Sequence, residues 1–266
     1  VEITNSDHTI GELKTINNAT SGTITLADYS VVLSGSSADV AAALDGTFAA
    51  TYTGAVTLND AHTLAELKTV NNGTSGTITL TDYTVALSGT SADVAAALDG
   101  TFASTYTGTA TVSDAHSLAE LKAINNGTSG TITLNDVTVA LSGSTSDVKA
   151  ALDGTFAASY TGNVTLGDSN GTQIAASDIS TIAGDTSGTV TVSNNINITG
   201  TAAEITTAVG NVDTFSNTPT ATLSDAHTLA QLVTINNAIS GTITLNDVTV
   251  ALSGSTADVK AALDGT

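Results

Sequence analysis

A 54-residue repeat is the feature that most constrains how this chain folds. Histidine recurs at four positions, and the last interval is about twice as long as the first two, which are equal: His8, His62, His116 and His227. The run from Asn59 to Val112 recurs almost verbatim in residues 5–58 and 113–166. Periods of this kind are typical of repeat proteins, in which each unit buries its apolar face against its neighbours.

The repeat divides the chain into five copies, which we expect to form one continuous array. Their predicted bounds are 1–58, 59–112, 113–166, a divergent copy at 167–223 and a truncated copy at 224–266. Each copy has an internal echo, with AHTLAELKTVNNGTSGTITLTD in one half and SADVAAALDGTFASTYTGTATVSD in the other. Both halves run from a helical pattern through a glycine-bearing turn into an alternating strand, which predicts about ten αβ half-turns.

The predicted helices begin at clear capping signals. Thr63 and Glu66 form a capping box, in which the hydroxyl and the carboxylate satisfy backbone N–H groups reciprocally. The pattern recurs in three further pairs: Thr9 with Glu12, Ser117 with Glu120, and Thr228 with Gln231. In the second half of the repeat, Thr90 caps a helix that buries Leu98 and ends before Gly100.

The predicted strands are short and lie between the helices. Thr77–Leu80 alternates polar and apolar side chains, and Tyr83, Val85 and Leu87 continue on a second strand. Strands of about four to six residues are too short to form independent sheets, so the copies must stack. The predicted class is α/β, a solenoid of short parallel strands and short helices with about two coils per repeat. The alternatives are a string of small α+β domains and an all-β solenoid.

The composition argues against several classes of function. There are 25 acidic residues against five lysines, and the formal net charge is −20. Because this surface has nothing to neutralise phosphates, we expect no nucleic-acid partner. No apolar run is long enough to cross a bilayer, so we expect no membrane insertion. Aromatic residues make up 3% of the chain and no nucleophile–base–acid grouping occurs, so we expect no enzyme activity.

The shared register of the histidines raises the question of a metal or catalytic site. Each histidine lies one residue before a helix cap. Equivalent positions two coils apart would be about 9–10 Å apart, which is too far for two imidazoles to share a zinc ion. Packing or capping at the turn is therefore the predicted role.

Aspartates at the ends of the predicted strands are the candidate cation ligands. These residues are Asp28, Asp60, Asp82, Asp114, Asp136, Asp168, Asp225 and Asp247. In stacked coils they would lie along one corner, about 5 Å apart, where like charges repel unless hydrogen bonds or cations offset them. Calcium accepts oxygen ligands in flexible geometry and is the one cofactor that this row suggests. The alternative is that each aspartate closes a turn.

Two further sets of residues recur beside the turns. Asn pairs such as Asn71-Asn72 follow the first helix, and we expect them to end it and to hydrogen-bond to the adjacent copy. Tyr106 and Phe102, with their equivalents, recur beside a glycine turn. Their predicted role is to anchor the loop, with contact to a sugar as the alternative.

At the level of its repeats, the chain resembles the repeat regions of very large secreted surface proteins of bacteria, marine cyanobacteria among them. The resemblance rests on segments such as TLAELKT, SGTITL and VTVALSGSTADVKAALDGT, and it includes no active-site motif. It implies an extracellular or cell-surface structural role, in a sheath or filament that associates head to tail or continues the same array. An adhesin-type module that recognises glycan or a cell surface, with or without calcium, is the alternative.

Overall fold

Helices and short parallel strands alternate along the chain. The computed structural model describes residues 1–265. Ten helices lie in this range: α1 (Ile10–Ala19), α2 (Ser37–Leu44), α3 (Leu64–Gly73), α4 (Ser91–Leu98), α5 (Leu118–Gly127), α6 (Thr145–Leu152), α7 (Ala176–Asp185), α8 (Ala202–Asn211), α9 (Leu229–Ala238) and α10 (Thr256–Leu263). The strands are β1 (Glu2–Ile3), β2 (Thr25–Leu26), β3 (Leu33–Gly35), β4 (Val56–Leu58), β5 (Ile78–Leu80), β6 (Leu87–Gly89), β7 (Ala110–Val112), β8 (Ile132–Leu134), β9 (Leu141–Gly143), β10 (Val164–Leu166), β11 (Gln173–Ala175), β12 (Val190–Val192), β13 (Asn197–Gly200), β14 (Thr214–Phe215), β15 (Thr220–Leu223) and β16 (Ile243–Thr244). The predicted α/β class is confirmed, and the helices exclude the all-β alternative.

Helices begin at even intervals of half a repeat over most of the chain, because both halves of the repeat carry a cap at the same place. The first residues of α1, α2 and α3 are Ile10, Ser37 and Leu64. All four predicted capping boxes are present. In α3, the Glu66 N–H donates to Thr63 Oγ1 at 3.2 Å and the Thr63 N–H donates to Glu66 Oε2 at 2.8 Å.

The chain forms two compact units, Val1–Asp136 with Gly154–Ala158, and Val137–Asp153 with the described residues from Ser159 onward. In the first unit, α1 to α5 pack in sequence order, each against the next. Its sheets have the strand orders β1-β2, β3-β4-β5 and β6-β7-β8. In the second unit, α6 to α10 pack in the same manner, and the sheets run β14-β12-β10-β9 and β11-β13-β15-β16. The repeat bounds and the continuity of the array remain predictions.

Strand pairing is parallel, but the paired residues are not equivalent positions of the repeat. Val56 lies opposite Leu33 on one side and Ile78 on the other. The two residues of each pair are closer along the chain than the first residues of two consecutive helices are. A strand residue therefore pairs with one that lies a few positions before its equivalent in the next half-repeat. Backbone hydrogen bonding sets this register, and the sequence period alone does not determine it.

The strands are two to four residues long, which is shorter than predicted. β6 begins only at Leu87, and Tyr83 and Val85 lie in the turn before it. The Tyr83 hydroxyl accepts a hydrogen bond from the Leu80 N–H at 3.1 Å, and the Val85 carbonyl accepts one from the Tyr106 hydroxyl at 2.6 Å. The predicted strand through Tyr83 and Val85 is therefore wrong, because the Val85 carbonyl bonds to a side chain and the Tyr83 carbonyl accepts from two consecutive N–H groups, those of Thr107 and Gly108, which is not a ladder pattern.

The core of the first unit is aliphatic and follows the repeat. Its fully buried side chains include two equivalent sets: Leu13, Leu67 and Leu121 on helices, and Ile24, Ile78 and Ile132 on or beside strands. The helices pack their sides against neighbouring helices, and their buried faces meet strands, as α2 meets β3 and β4. Within the described range, no helix is both long and apolar enough to span a bilayer.

Candidate functional site

Four of the eight candidate aspartates, each near the start of a predicted copy, cap the second helix of the preceding copy. Asp60 Oδ1 accepts a hydrogen bond from the N–H of Ser37, the first residue of α2, at 2.7 Å. Equivalent contacts join Asp114 to Ser91, Asp168 to Thr145, and Asp225 to Ala202. A carboxylate at a helix N-terminus satisfies an otherwise unpaired N–H and meets the positive end of the helix dipole. These aspartates therefore join one copy to the next.

Each of these helix ends carries two caps. In α2, Ser36 Oγ accepts from the Asp39 N–H at 3.2 Å, while Asp60 reaches the first helical N–H from the following copy. In α6, the Thr145 N–H and hydroxyl both donate to Asp168 Oδ2, at 3.0 and 2.5 Å. Helix N-termini thus offset part of the surplus negative charge.

The other four candidate aspartates lie at turns within their own half-repeats. Asp28 Oδ1 accepts from the N–H and the hydroxyl of Ser30, at 2.8 and 2.7 Å. The same pair of bonds joins Thr84 to Asp82 and Thr249 to Asp247. Asp136 occupies the equivalent position in the third copy. These hydrogen bonds hold the pKa of Asp28, Asp82 and Asp247 below the usual value for a carboxyl group, so all three are ionised at neutral pH.

The carboxylates of the two groups make different contacts, because an aspartate such as Asp60 meets the first N–H of a helix, whereas one such as Asp28 meets its own turn. Their arrangement in a single row remains a prediction. Among residues 1–265, no three His, Cys, Asp or Glu side chains form a group that could hold a metal ion. Calcium binding by these aspartates remains a prediction.

Lysines offset further charge between consecutive helices. Lys14 Nζ lies 2.5 Å from Asp39 Oδ1, and Lys68 pairs with Asp93 at the equivalent position. The Lys14 ammonium is the main reason that the pKa of Asp39 lies below its usual range. Because these side chains are largely exposed, the pairs orient neighbouring helices more than they stabilise them.

All four histidines are buried, and His8 and His62 contact a tyrosine of the following half-repeat. All four are 3–5% exposed: His8, His62, His116 and His227. His62 Nε2 lies 3.0 Å from the Tyr106 hydroxyl oxygen, and His8 Nε2 lies 3.2 Å from that of Tyr52, 44 residues along the chain in each case. Burial lowers the pKa of His8, His62 and His116, although nearby carboxylates oppose this effect. The predicted packing role is confirmed, whereas the tyrosine partner has no local signal in the sequence.

The first asparagine of each pair bonds to the following helix. Three Nδ2 groups donate to helix carbonyls: Asn17 to Ala42 (2.9 Å), Asn71 to Ala96 (2.6 Å) and Asn236 to Ala261 (2.7 Å). The predicted bond to an equivalent residue of the adjacent copy is wrong, because in all three cases the acceptor is a helix carbonyl of the same copy. The second asparagine of the pair, such as Asn72, is exposed.

The tyrosines of the glycine turns are anchors. Three equivalent side chains are only 1% exposed: Tyr52, Tyr106 and Tyr160. Their hydroxyls donate to backbone carbonyls, as Tyr106 does to Val85 at 2.6 Å. A side chain buried to this degree has no face to offer a sugar, so stacking on these tyrosines is excluded.

Two equivalent open grooves lie beside the phenylalanines of the same turns. The groove at Phe48 has a volume of about 730 Å³, and the groove at Phe102 has a volume of about 380 Å³. The second is lined by Asp99, Ser104 and Asn126 among other residues, and the first has the corresponding acidic and amide side chains. Each groove thus combines a partly exposed ring with polar side chains.

Replacing Asp114 by alanine is expected to lower the free energy of unfolding by about 1 kcal/mol, because the Ser91 N–H loses its acceptor at the start of α4. Urea unfolding followed by circular dichroism measures the change. The matched control is Asp99→Ala, an exposed carboxylate just after the same helix, which we expect to alter stability by less than about 0.5 kcal/mol. Equal effects of the two substitutions would contradict the capping role.

Comparison with known proteins assigns no family to the chain. It matches no protein-family model, no curated protein and no solved structure. Its function is therefore inferred from the contacts between half-repeats, from the exposed surfaces and from the charge.

Proposed function

We propose that the chain is a non-enzymatic structural segment of an extracellular or cell-surface array, a solenoid-like rod in a sheath, surface layer or filament. The joint between half-repeats is the observation that supports this role. In the first unit, a parallel strand pair and an aspartate cap connect one pair of consecutive segments, and an asparagine bonded to the following helix connects the segment before them to the first of that pair. Repeat proteins are stabilised by nearest-neighbour contacts of this kind, which propagate along an array of any length.

The charge supports the same role. With a formal net charge of −20, neighbouring rods repel one another along their sides and stay dispersed. Association is then favoured only where apolar surface is exposed, which directs growth to the ends of a rod.

The last described half-repeat carries such an exposed surface. Leu263 in α10 is 64% exposed, whereas its equivalents are each 2% exposed: Leu44, Leu98 and Leu152. In the first unit, the next half-repeat covers this position, because Gly73 lies directly against Leu44. The strand β16 likewise ends its sheet. We propose that a second copy of the chain, or further repeats of the same array, covers this surface head to tail.

Negative-stain microscopy of the purified protein tests the proposal. We expect rods or filaments longer than one chain, and we expect Leu263→Asp to prevent their growth by placing a charge on the open surface. Val32→Asp is the matched control, since Val32 is 66% exposed but lies far from this end of the sequence. A single monomeric species by light scattering at high concentration, with and without calcium, would contradict head-to-tail assembly.

Calcium is the one metal that we include in the proposal, with the eight aspartates as its candidate ligands. If calcium screens these carboxylates, removing it with a chelator lowers the melting temperature by several degrees at matched ionic strength. An unchanged melting temperature would remove calcium from the proposal and leave the structural role intact.

The alternative function is an adhesin-type module that binds glycan or another cell-surface ligand. The two equivalent grooves favour it, because each combines a partly exposed ring with carboxylate, hydroxyl and amide groups. A glycan array probed with the unchanged protein and with Phe102→Ala distinguishes the two functions. Binding that is lost in this variant, with the fold retained, would support the adhesin role. Absence of binding would favour the structural role.

A further inference from the structure

A buried imidazole nitrogen without a hydrogen-bond partner recurs along the repeat. Nδ1 of His8, His62 and His227 is shielded from solvent and has no partner among the described residues. Buried polar atoms are nearly always paired. An unpaired atom at the same position in three copies therefore needs a physical explanation.

The protonation state of the ring follows from the hydrogen bonds of its other nitrogen. The Tyr106 hydroxyl donates its proton to the Val85 carbonyl at 2.6 Å, so it accepts from His62 Nε2. The same holds for His8, because the Tyr52 hydroxyl donates to a carbonyl at 2.6 Å. Burial raises the pKa of Tyr52 to about 12, so this hydroxyl keeps its proton. The proton of the neutral imidazole is therefore on Nε2, and Nδ1 carries a lone pair.

The groups around the His62 ring have two opposite effects on its protonation. Asp60 and Glu66 face His62 from its own loop and helix, Asp82 faces it from the turn after β5, and the neutral Tyr106 faces it from the next half-repeat. The three carboxylates favour the imidazolium, but the loss of hydration in the buried site outweighs them. A second proton would also create a buried N–H at Nδ1, with no acceptor in the described part of the chain.

We propose that the His–Tyr contacts are acid-sensitive joints, which stabilise the packing of consecutive half-repeats at neutral pH and lose this contribution in mild acid, when the buried ring takes up a proton at Nδ1. The His62 contact connects the loop before α3 to Tyr106, which follows α4, and the Tyr106 hydroxyl bonds in turn to the Val85 carbonyl between these two helices. Loss of the contact therefore affects two half-repeats at once. Because the contact recurs at His8 and His62, the response is repeated along the array. This device is independent of whether the chain forms filaments or binds glycan.

The pH window follows from the direction of the pKa shifts. The ordinary pKa of histidine is about 6.5, and it is lower in the folded protein for both residues. The unfolded chain therefore takes up protons first, so the stability from these contacts is complete above pH 6.5 and is lost as the pH falls toward the folded pKa. Hydrogen-bonded carboxylates such as Asp28 and Asp82 have lowered pKa values as well, and they act only below about pH 4.

Urea unfolding between pH 7.5 and 5.0 tests the joint. For the unchanged protein, we expect the free energy of unfolding to fall with decreasing pH. The slope of this fall includes up to about two protons, which His8 and His62 take up on unfolding. In the His8→Gln/His62→Gln variant, an amide N–H keeps the bond to the tyrosine but does not titrate, so the slope is reduced by this amount. Asp39→Asn/Asp93→Asn, at equivalent sites in the same repeats, is the control and leaves the slope above pH 5 unchanged.

Nuclear magnetic resonance of the unchanged protein provides a test that needs no variant. Long-range ¹H–¹⁵N spectra of the imidazoles are expected to show the Nε2–H tautomer at pH 7.5 and titration midpoints below pH 6.5 for His8 and His62. The Nδ1–H tautomer, or midpoints at or above pH 6.5, would overturn the proposal. An unreduced pH slope in the double-glutamine variant would overturn it as well.

Discussion

Replacing Tyr106 by alanine is expected to lower the free energy of unfolding by about 3–5 kcal/mol, the range for truncating a large buried aromatic side chain. The ring is 1% exposed and its centre lies 5.9 Å from the ring centres of both His62 and Phe102. Truncation leaves a cavity, and it also leaves the Val85 carbonyl and His62 Nε2–H without a partner. Chemical denaturation at pH 7.5 measures the loss.

Tyr106→Phe is the control that separates the ring from the hydroxyl. It keeps the packing and removes the two hydrogen bonds, for an expected loss of about 1–2 kcal/mol. A loss below about 1 kcal/mol for Tyr106→Ala would contradict the anchoring role. Because the residue is buried, any loss of ligand binding in the alanine variant would report on folding and not on a contact with the ligand.

Replacing Gly108 by alanine is expected to lower the free energy of unfolding by about 3 kcal/mol, near the upper end for overpacking. A Cβ at this position would lie 2.0 Å from the Val85 carbonyl oxygen and 2.7 Å from the Tyr106 ring. A backbone carbonyl within the joint cannot rotate away as a side chain does. The same approach recurs in two other copies, between Gly54 and Val31 and between Gly162 and Val139.

Gly11→Ala is the matched control in the same unit. A Cβ at this position in α1 would meet no atom within 4 Å, and alanine is the better helix former by about 0.5–1 kcal/mol. We therefore expect a small gain in stability, measured in the same denaturation experiment. A similar loss in both variants would show that close approach at Gly108 is not the cause.

Most of the helical framework could be predicted from the sequence, because its signals are local. A cap such as Thr63 and its partner Glu66 are three residues apart, so the bond between them depends on little beyond the helix itself. The period then predicts where every equivalent helix begins. The strands were harder to predict, because Tyr83 and Val85 have the alternation of a strand but lie in a turn. Their surroundings decide between the two, since a tyrosine hydroxyl from another segment bonds to Val85.

The residues of the candidate site could likewise be predicted from the sequence, but most of their contacts could not. Sequence alone identified the recurring aspartates, asparagines, histidines and tyrosines, and it predicted that the tyrosines anchor a loop. It did not separate Asp60, which caps the preceding helix, from Asp82, which closes its own turn, because both follow a strand-like segment. It also left contact with a sugar open as the alternative role of Tyr106, which burial excludes.

The sequence by itself determined the length of the repeat, the two helices in each copy, the α/β class and the excess of negative charge. Only the tertiary structure decided which residues meet. In the first unit, strand partners lie closer along the chain than consecutive helix starts do, and the histidine and its tyrosine are separated by less than one full repeat. These separations follow from how backbone hydrogen bonds and side-chain packing align one half-repeat on the next. The repeat pattern alone does not indicate this alignment, because every copy presents the same residues for pairing.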